Sequence, residues 1–117
     1  MKLFLCGGGS GKQVIDAYKE FEKCIDKGKP ILYIPLAMEE EKYDSCYEWF
    51  SEEIKNFGGM KFDMARNSLD LSNKDFNEYA AIFIGGGNTF KLLKDLKEYS
   101  NWYKITDYLN NDGVIFA

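Results

Sequence analysis

The sequence contains no histidine, and this absence restricts the chemistry that the chain can perform by itself. Histidine is the most common general base in enzymes and a frequent zinc ligand. The three cysteines, Cys6, Cys24 and Cys46, are odd in number and form no Cys-x-x-Cys pair. Neither a disulfide framework nor a metal site is therefore predicted. We interpret the cysteines as small buried hydrophobic residues, and we expect no metal and no cofactor.

Long hydrophobic runs and an excess of positive charge are also missing. No segment approaches the roughly 20 apolar residues of a membrane-spanning helix, and the apolar run after Met1 is too short for a signal-peptide core. The 15 Lys and Arg residues against 19 Asp and Glu residues give a net charge of −4, whereas a nucleic-acid-binding domain needs a basic face. We predict a cytoplasmic protein with no membrane and no nucleic-acid partner.

What the sequence does contain is an alternation of short apolar runs and longer amphipathic segments. Its 117 residues, 45% of them hydrophobic, are enough for one core. The predicted strands are 2–6, 30–35, 60–64, 80–84 and 114–117. The predicted helices are 12–27, 40–57, 89–99, a short one marked by Trp102, Ile105 and Leu109, and at most two turns opened by a capping box at 72–75. This order predicts an α/β fold: an open parallel sheet with helices on both faces, a three-layer, flavodoxin-like arrangement.

The sequence stops within the fifth predicted strand, Val114 to Ala117. A sheet of this kind normally has a final helix over its last strand, so we expect residues 1–117 to form a single incomplete α/β domain, truncated after about five strands. An unpaired strand edge and an uncovered apolar face favour association between chains. We therefore expect the chain to self-associate.

Two glycine-rich turns, Gly7–Gly11 and Gly85–Gly87, follow predicted strands. In an open parallel sheet such turns lie where ligands bind. The first turn fails the phosphate-loop pattern, which needs glycine at Cys6 and serine or threonine at Gln13. It also fails the dinucleotide pattern, which needs glycine at Lys12. Nucleotide binding is therefore not predicted, and two alternatives stay open for this turn: a looser anion site that includes Lys12, or a flexible turn near a pocket.

Candidate catalytic side chains are scarce in the sequence. Ser10 follows a strand within a glycine turn, but a nucleophile elbow needs glycine where Lys12 stands, and no histidine is available as a base. We therefore find no nucleophile in this chain. The carboxylates at 39–41 and 52–53 are interpreted as solvated charge. The aromatic residues Tyr43, Tyr47, Trp49 and Phe50 are interpreted as core.

The second glycine turn leaves backbone N–H groups uncovered at Gly85, Gly86 and Gly87. Asn88 or Thr89 can cap the helix that follows, so these N–H groups lie beside a helix N-terminus. An anion or an oxyanion can be held at such a place. The alternative is a tight turn that needs glycine only for its positive φ.

The pattern as a whole resembles the dipeptidase E-like serine peptidases, relatives of cyanophycinase that have the class I glutamine amidotransferase-like fold. The matching segments are the glycine- and serine-rich first turn, Ile34-Pro35, 82–93 with its Gly-Gly-Asn-Thr-Phe, and Gly113 to Ala117. In that family, the last of these leads into a Gly-x-Ser-Ala-Gly elbow that carries the nucleophile, and a histidine and an acidic residue follow. The resemblance implies that this chain is the N-terminal part of such an enzyme.

The resemblance also implies roles for individual residues. The backbone N–H groups of Gly86 and Gly87 would form part of an oxyanion hole. Substrate would be bound by Asn88, Gly8, Gly9 and Ser10. The implied activity is hydrolysis of short peptides, with an acidic N-terminal residue as one candidate feature, and the chain alone would be inactive. Two alternatives stay open: a cysteine-dependent amidotransferase-like relative, and a flavodoxin-like non-enzymatic module that holds a small anion.

Overall fold

The computed structural model describes residues 2–6 and 14–117, and within them five strands form one parallel sheet. The strands are β1 (Lys2–Phe4), β2 (Ile31–Ile34), β3 (Phe62–Met64), β4 (Ala81–Ile84) and β5 (Val114–Phe116). Their order across the sheet is β1-β5-β4-β2-β3, and every neighbouring pair is parallel. The predicted α/β fold with an open parallel sheet is confirmed.

Helices occupy the connections between the strands. They are α1 (Ile15–Cys24), α2 (Tyr43–Glu53), α3 (Ser68–Ser72), α4 (Thr89–Lys97) and α5 (Asn101–Asn110). Short 3₁₀ turns are found at Glu40–Lys42, Ile54–Phe57, Phe76–Glu78 and Glu98–Ser100. None of the helices in the described part of the chain has the length and hydrophobicity needed to cross a bilayer.

One face of the sheet is packed with aromatic rings. Phe83 of β4 stacks on Phe116 of β5 at 4.9 Å between ring centroids, and on Phe57 at 5.8 Å. The rings of Tyr18 and Phe21, both from α1, pack against Phe57 as well. Tyr18 donates a 2.6 Å hydrogen bond to the buried carboxylate of Glu53 at the end of α2. The helices α1 and α2 therefore cover this face.

The other face of the sheet is aliphatic. Successive strand residues point to opposite faces, so Ile82 of β4 points away from the aromatic rings. The helices α3, α4 and α5 pack against one another. Their buried side chains Leu71, Leu96 and Ile105 belong to the same hydrophobic core as the strands. The sheet thus has helices on both faces, as the alternation of elements predicts.

The β1 edge of the sheet differs from its centre. In the described residues β1 pairs with β5 alone, and its leucines are poorly covered: Leu3 is 47% exposed and Leu5, directly after the strand, is 73% exposed. The unpaired edge was predicted at 114–117, but β5 pairs with β4 on one side and with β1 on the other, so that basis for self-association is wrong. Self-association itself stays a prediction, and among the described strands β1 is an edge at which it can occur.

The predicted capping box at 72–75 is wrong. Ser72 is the last residue of α3, and the helix is capped instead by Asn67, whose side chain accepts a 2.7 Å hydrogen bond from the N–H of Asp70. Asp75 caps the next 3₁₀ turn by accepting from the N–H of Asn77 at 3.0 Å. Because α3 has only five residues, its sequence shows no helical spacing of apolar residues from which the helix could be predicted.

Glycine ends one of the two helices for which it was predicted to do so. Gly58 has φ +121° and follows the 3₁₀ extension of α2, as expected for a C-terminal glycine. The helix α1 ends at Cys24, before the predicted stop at Gly28. Gly28 instead donates its N–H to the side chain of Asp26 at 2.8 Å, which forms a side-chain turn.

Candidate functional site

A cleft of about 440 Å³ opens at the carboxyl ends of β4 and β5. The glycine turn after β4 and the first residues of α4 form part of its lining, together with the side chains of Trp49, Phe83 and Phe116. This is the position at which open parallel sheets bind their ligands. The cleft is therefore the candidate functional site.

The glycine turn is anchored at one end to the last residue of β2 and at the other to the loop that follows β2. The N–H of Gly85 donates to the carbonyl of Ile34 at 3.0 Å, which continues the pairing of β4 with β2. The N–H of Asn88 donates to the carbonyl of Ala37 at 2.8 Å. The two residues between these anchors are thus held in place by backbone hydrogen bonds.

Gly87 must be glycine because of a neighbouring backbone. Its φ is +145°, a region that side chains rarely adopt, and a Cβ atom at this position would lie 2.6 Å from the carbonyl oxygen of Ala37. Around a Cβ atom at Gly86, in contrast, no heavy atom lies within 4 Å. Gly87 is required by the packing of the turn, whereas Gly86 faces open space.

The N–H groups of Gly86 and Gly87 are available to a ligand. Both residues are exposed and line the cleft. Within the described residues neither N–H donates to a backbone or side-chain acceptor. They also lie directly before α4, whose N-terminus carries partial positive charge. The turn can therefore donate two hydrogen bonds to a negatively charged oxygen.

Asn88 serves as the N-cap of α4. Its side-chain oxygen accepts hydrogen bonds from the N–H of Phe90 at 2.9 Å and of Lys91 at 3.2 Å. The predicted cap is thus confirmed. Contact between Asn88 and substrate stays a prediction, since its side-chain oxygen already accepts two hydrogen bonds within the helix.

Lys91 connects α4 to the loop after β2. No motif in the sequence predicts this role. Its ammonium donates to the carbonyl of Leu36 at 2.7 Å, to the hydroxyl of Tyr43 at 3.0 Å and to Asp95 at 3.2 Å. Burial alone would lower the pKa of Lys91. The hydrogen bonds to Tyr43 and Asp95 outweigh this effect, so the pKa of Lys91 is raised above its ordinary value. The charged side chain holds in place the segment that carries Ala37. Its i,i+4 spacing from Asp95 was the available sequence signal.

Trp49 lies at the cleft, although the sequence favoured a core position for it. Its side chain lines the cleft and is 40% exposed. Tyr47, also interpreted as core, is 44% exposed, whereas Tyr43 and Phe50 are buried as predicted. The helical period places all four residues near the core but does not show which of them face an opening.

Cys6 also lines the cleft, and its N–H donates to the carbonyl of Ala117 at 2.8 Å. Burial raises the pKa of its thiol. A thiol is nucleophilic only when deprotonated, so these surroundings do not activate Cys6. The other cysteines are reduced as well, with Cys46 buried and Cys24 partly buried.

The first glycine turn, with Gly8, Gly9 and Ser10, lies outside the described residues, and its role in substrate binding stays a prediction. In 2–6 and 14–117 no group of three or more cysteine or acidic side chains is placed to hold a metal ion.

Comparisons with known proteins agree with the motifs. The chain matches the family model described as Peptidase family S51 over residues 3–117. It is 32% identical over 90 residues to the uncharacterized peptidase Lin0382 of Listeria innocua and 31% identical over 90 residues to the uncharacterized peptidase Lmo0363 of Listeria monocytogenes. Each match covers 75% of this chain and 43% of the relative, so the chain spans less than half the length of these relatives. Because the family model matches almost the whole chain, the resemblance seen in the glycine turns is confirmed, and the chain belongs to peptidase family S51.

Proposed function

We propose that the complete protein is a serine-type peptidase that hydrolyses short peptides, and that this chain supplies the glycine turn of its oxyanion hole. The observation that carries the proposal is the pair of N–H groups at Gly86 and Gly87, which line the cleft at the end of β4 and have no acceptor among residues 2–6 and 14–117. Family membership supports the same activity.

The geometry of the turn suits amide hydrolysis. Attack on a peptide carbonyl produces a tetrahedral intermediate with a negatively charged oxygen, and donors fixed in advance stabilise it. The turn meets this requirement because its two ends are bound to the carbonyls of Ile34 and Ala37. The N-terminus of α4 adds a favourable dipole.

The nucleophile and its base would come from outside these 117 residues. The chain has no histidine, and burial raises the pKa of the Cys6 thiol, which disfavours the nucleophilic thiolate. We therefore expect this chain by itself to be inactive, with a small peptide as the partner of the complete enzyme. The cytoplasmic location stays a prediction.

The gene segment that encodes the residues after Ala117 provides the first test. A Gly-x-Ser-x-Gly sequence within a few residues of Ala117 is expected. A cysteine in place of that serine would indicate the amidotransferase-like alternative, and the absence of any such elbow would contradict the peptidase.

A pair of variants at Gly86 tests the oxyanion role in the complete enzyme. Gly86→Pro removes the N–H donor and should lower kcat about 10² to 10³-fold, as the loss of such donors does in other hydrolases. Gly86→Ala keeps the N–H donor, and its methyl group meets no heavy atom of this chain within 4 Å, so it should lower kcat much less than Gly86→Pro does. Equal activity of the two variants would contradict the proposal. Calorimetric binding of phosphate without peptide hydrolysis would favour the anion-binding module instead.

A further inference from the structure

Two consecutive carbonyl groups connect the loop after β2 to the start of α4. The carbonyl of Leu36 accepts a 2.7 Å hydrogen bond from the ammonium of Lys91. The carbonyl of Ala37 accepts a 2.8 Å hydrogen bond from the N–H of Asn88. The same Ala37 oxygen occupies the place where a side chain at Gly87 would lie. The position of this loop therefore determines where Gly87 and its N–H are held.

Leu36 and Ala37 belong to one tight turn. The N–H of Met38 donates to the carbonyl of Pro35 at 2.9 Å and closes the turn around them. Both residues are almost fully buried, at 0% and 3% exposed. Because a closed and buried turn moves as one unit, a contact that fixes the carbonyl of Leu36 also fixes the carbonyl of Ala37.

The ammonium of Lys91 is itself held by further acceptors. It donates to the hydroxyl of Tyr43 at 3.0 Å and to the carboxylate of Asp95 at 3.2 Å. Asp95 also accepts a 3.3 Å hydrogen bond from the hydroxyl of Ser68, a buried residue at the start of α3. The side chains of Lys91 and Asp95 are only 25% and 19% exposed, so salt screens this ion pair less than a surface pair. A continuous series of contacts thus runs from α3 through Asp95 and Lys91 to the loop after β2.

An oxyanion hole depends on the placement of its donors. Donors stabilise a developing oxyanion when they are fixed in position before the reaction begins. A displacement of about 1 Å, even one caused far from the reacting atoms, can cost about 10²-fold in rate. Lys91 does not line the cleft in the part of the chain that the structure describes. An effect of Lys91 on the reaction must therefore pass through the loop that it holds.

We propose that Lys91 and Asp95 are positioning residues for the oxyanion hole. Together they fix the loop after β2, and this loop fixes the N–H donors of Gly86 and Gly87. This inference rests on the proposed peptidase function and adds to it two residues that act without touching the substrate. Since the donors bind an oxygen that becomes negative only in the transition state, loss of the two residues affects kcat rather than KM.

Kinetics of the complete enzyme test the inference. Lys91→Met keeps the length of the side chain and removes the ammonium, so it should lower kcat about 10- to 100-fold with KM little changed. Lys91→Arg keeps a cationic donor for the carbonyl of Leu36 and should lose clearly less. Asp95→Asn keeps the shape of the side chain but weakens its hydrogen bond to the ammonium. Its kcat should lie between those of Lys91→Met and the unmodified enzyme.

Lys94→Met is the matched control, because Lys94 is an exposed lysine on the same helix. It should leave both kcat and KM unchanged. The ¹⁵N–¹H signals of Gly86 and Gly87 provide a readout that does not depend on activity. They should shift in Lys91→Met, where the N–H of Asn88 should also exchange faster with solvent, and they should stay in place in Lys94→Met. Circular dichroism checks that each variant folds.

The outcomes separate this inference from the function on which it rests. If Gly86→Pro lowers kcat but Lys91→Met lowers it no more than Lys94→Met does, the inference is overturned and the oxyanion role stands. If Lys91→Met lowers kcat while the glycine signals stay in place, or raises KM alone, Lys91 does not act by positioning the turn, and the inference is again overturned. If Gly86→Pro leaves kcat unchanged, the oxyanion role is contradicted and the inference fails with it.

Discussion

The two faces of the sheet are held by different interactions. On the face covered by α1 and α2, aromatic rings such as Phe57 and Phe83 fill most of the space, and the buried hydrogen bond from Tyr18 to Glu53 lies beside them. On the face covered by α3, α4 and α5, polar side chains reach across to backbone carbonyls: Lys91 to Leu36, Asn101 to Ser68, and Lys104 to Leu71 and Ser72.

The contacts on the two faces have different consequences: ring packing mainly stabilises the fold, whereas the polar contacts mainly fix the positions of loops. Ring packing contributes through buried area and is spread over many contacts, so its loss affects the whole fold. A lysine or asparagine that binds a carbonyl fixes one loop in one position and contributes less free energy. The glycine turn lies beside the second kind of contact, because Lys91 holds the loop that carries Ala37.

Removal of a ring from the aromatic face should have the largest effect. Phe57→Ala deletes a fully buried side chain that stacks on Phe83, and it should lower the free energy of unfolding by about 3–5 kcal/mol. Urea unfolding followed by circular dichroism measures the loss. Phe90→Ala removes a ring that is 85% exposed and should change stability by about 0.5 kcal/mol or less. Similar losses in both variants would contradict the comparison.

A methyl group in the glycine turn should have the next largest effect. Gly87→Ala forces a side chain into a conformation with φ +145° and into the carbonyl of Ala37, at a cost of about 1–3 kcal/mol for the backbone strain. Gly86→Ala adds the same atom in open space and should be nearly neutral. The difference in unfolding midpoint between the two variants is the measurement, and its absence would show that the turn is not held as described.

Loss of the Lys91 ammonium should cost less, about 1 kcal/mol, which is the net contribution of a typical hydrogen bond. Lys91→Met keeps the length of the side chain and leaves the carbonyl of Leu36 without this donor. The pKa of Lys91 is raised, so its contribution is complete at neutral pH and is lost only as the pH rises past the ordinary lysine value of 10.5.

Lys55 provides the control for Lys91. Its ammonium pairs with Glu52 on the surface, with side chains 66% and 76% exposed, and surface pairs contribute little. Lys55→Met should therefore leave the free energy of unfolding almost unchanged. If both variants lower the free energy of unfolding equally, the contacts of Lys91 contribute no more than an exposed surface pair does.

The smallest effect on stability is expected at the β1 edge, where association should change instead. Leu5→Ser replaces a side chain that is 73% exposed, so unfolding should hardly change, while the monomer fraction in sedimentation velocity should rise. Leu69→Ser, on α3 and 50% exposed, is the control and should leave association unchanged. A chain that sediments as a monomer before any substitution would contradict the expected self-association.

The buried strands were the part of the fold best predicted from sequence. The strands predicted at 30–35 and 80–84 are found at Ile31–Ile34 and Ala81–Ile84. Both are covered on each face, and such strands are continuous apolar runs bounded by proline or glycine. The helix α3 was missed because its cap at Asn67 and its five residues leave too little apolar period to recognise.

The candidate site was predictable only in part. The strand, glycine turn and helix at 80–93, the cap at Asn88 and the family could all be inferred from local sequence, because each depends on neighbouring residues. The roles of Lys91 and Trp49 could not be inferred in this way. Their partners Leu36 and Phe83 are distant in the chain, and no local pattern brings them together.

At Gly87, one property follows from the sequence and another depends on the tertiary structure. That a glycine turn ends β4 and precedes α4 follows from the order of residue types, since glycine interrupts an apolar run and asparagine begins a helix. That Gly87, and not Gly86, must be glycine follows from the carbonyl of Ala37, which occupies the place of a side chain. The periodicity of a segment reports how it is buried, whereas the approach of another backbone depends on how the whole sheet is assembled.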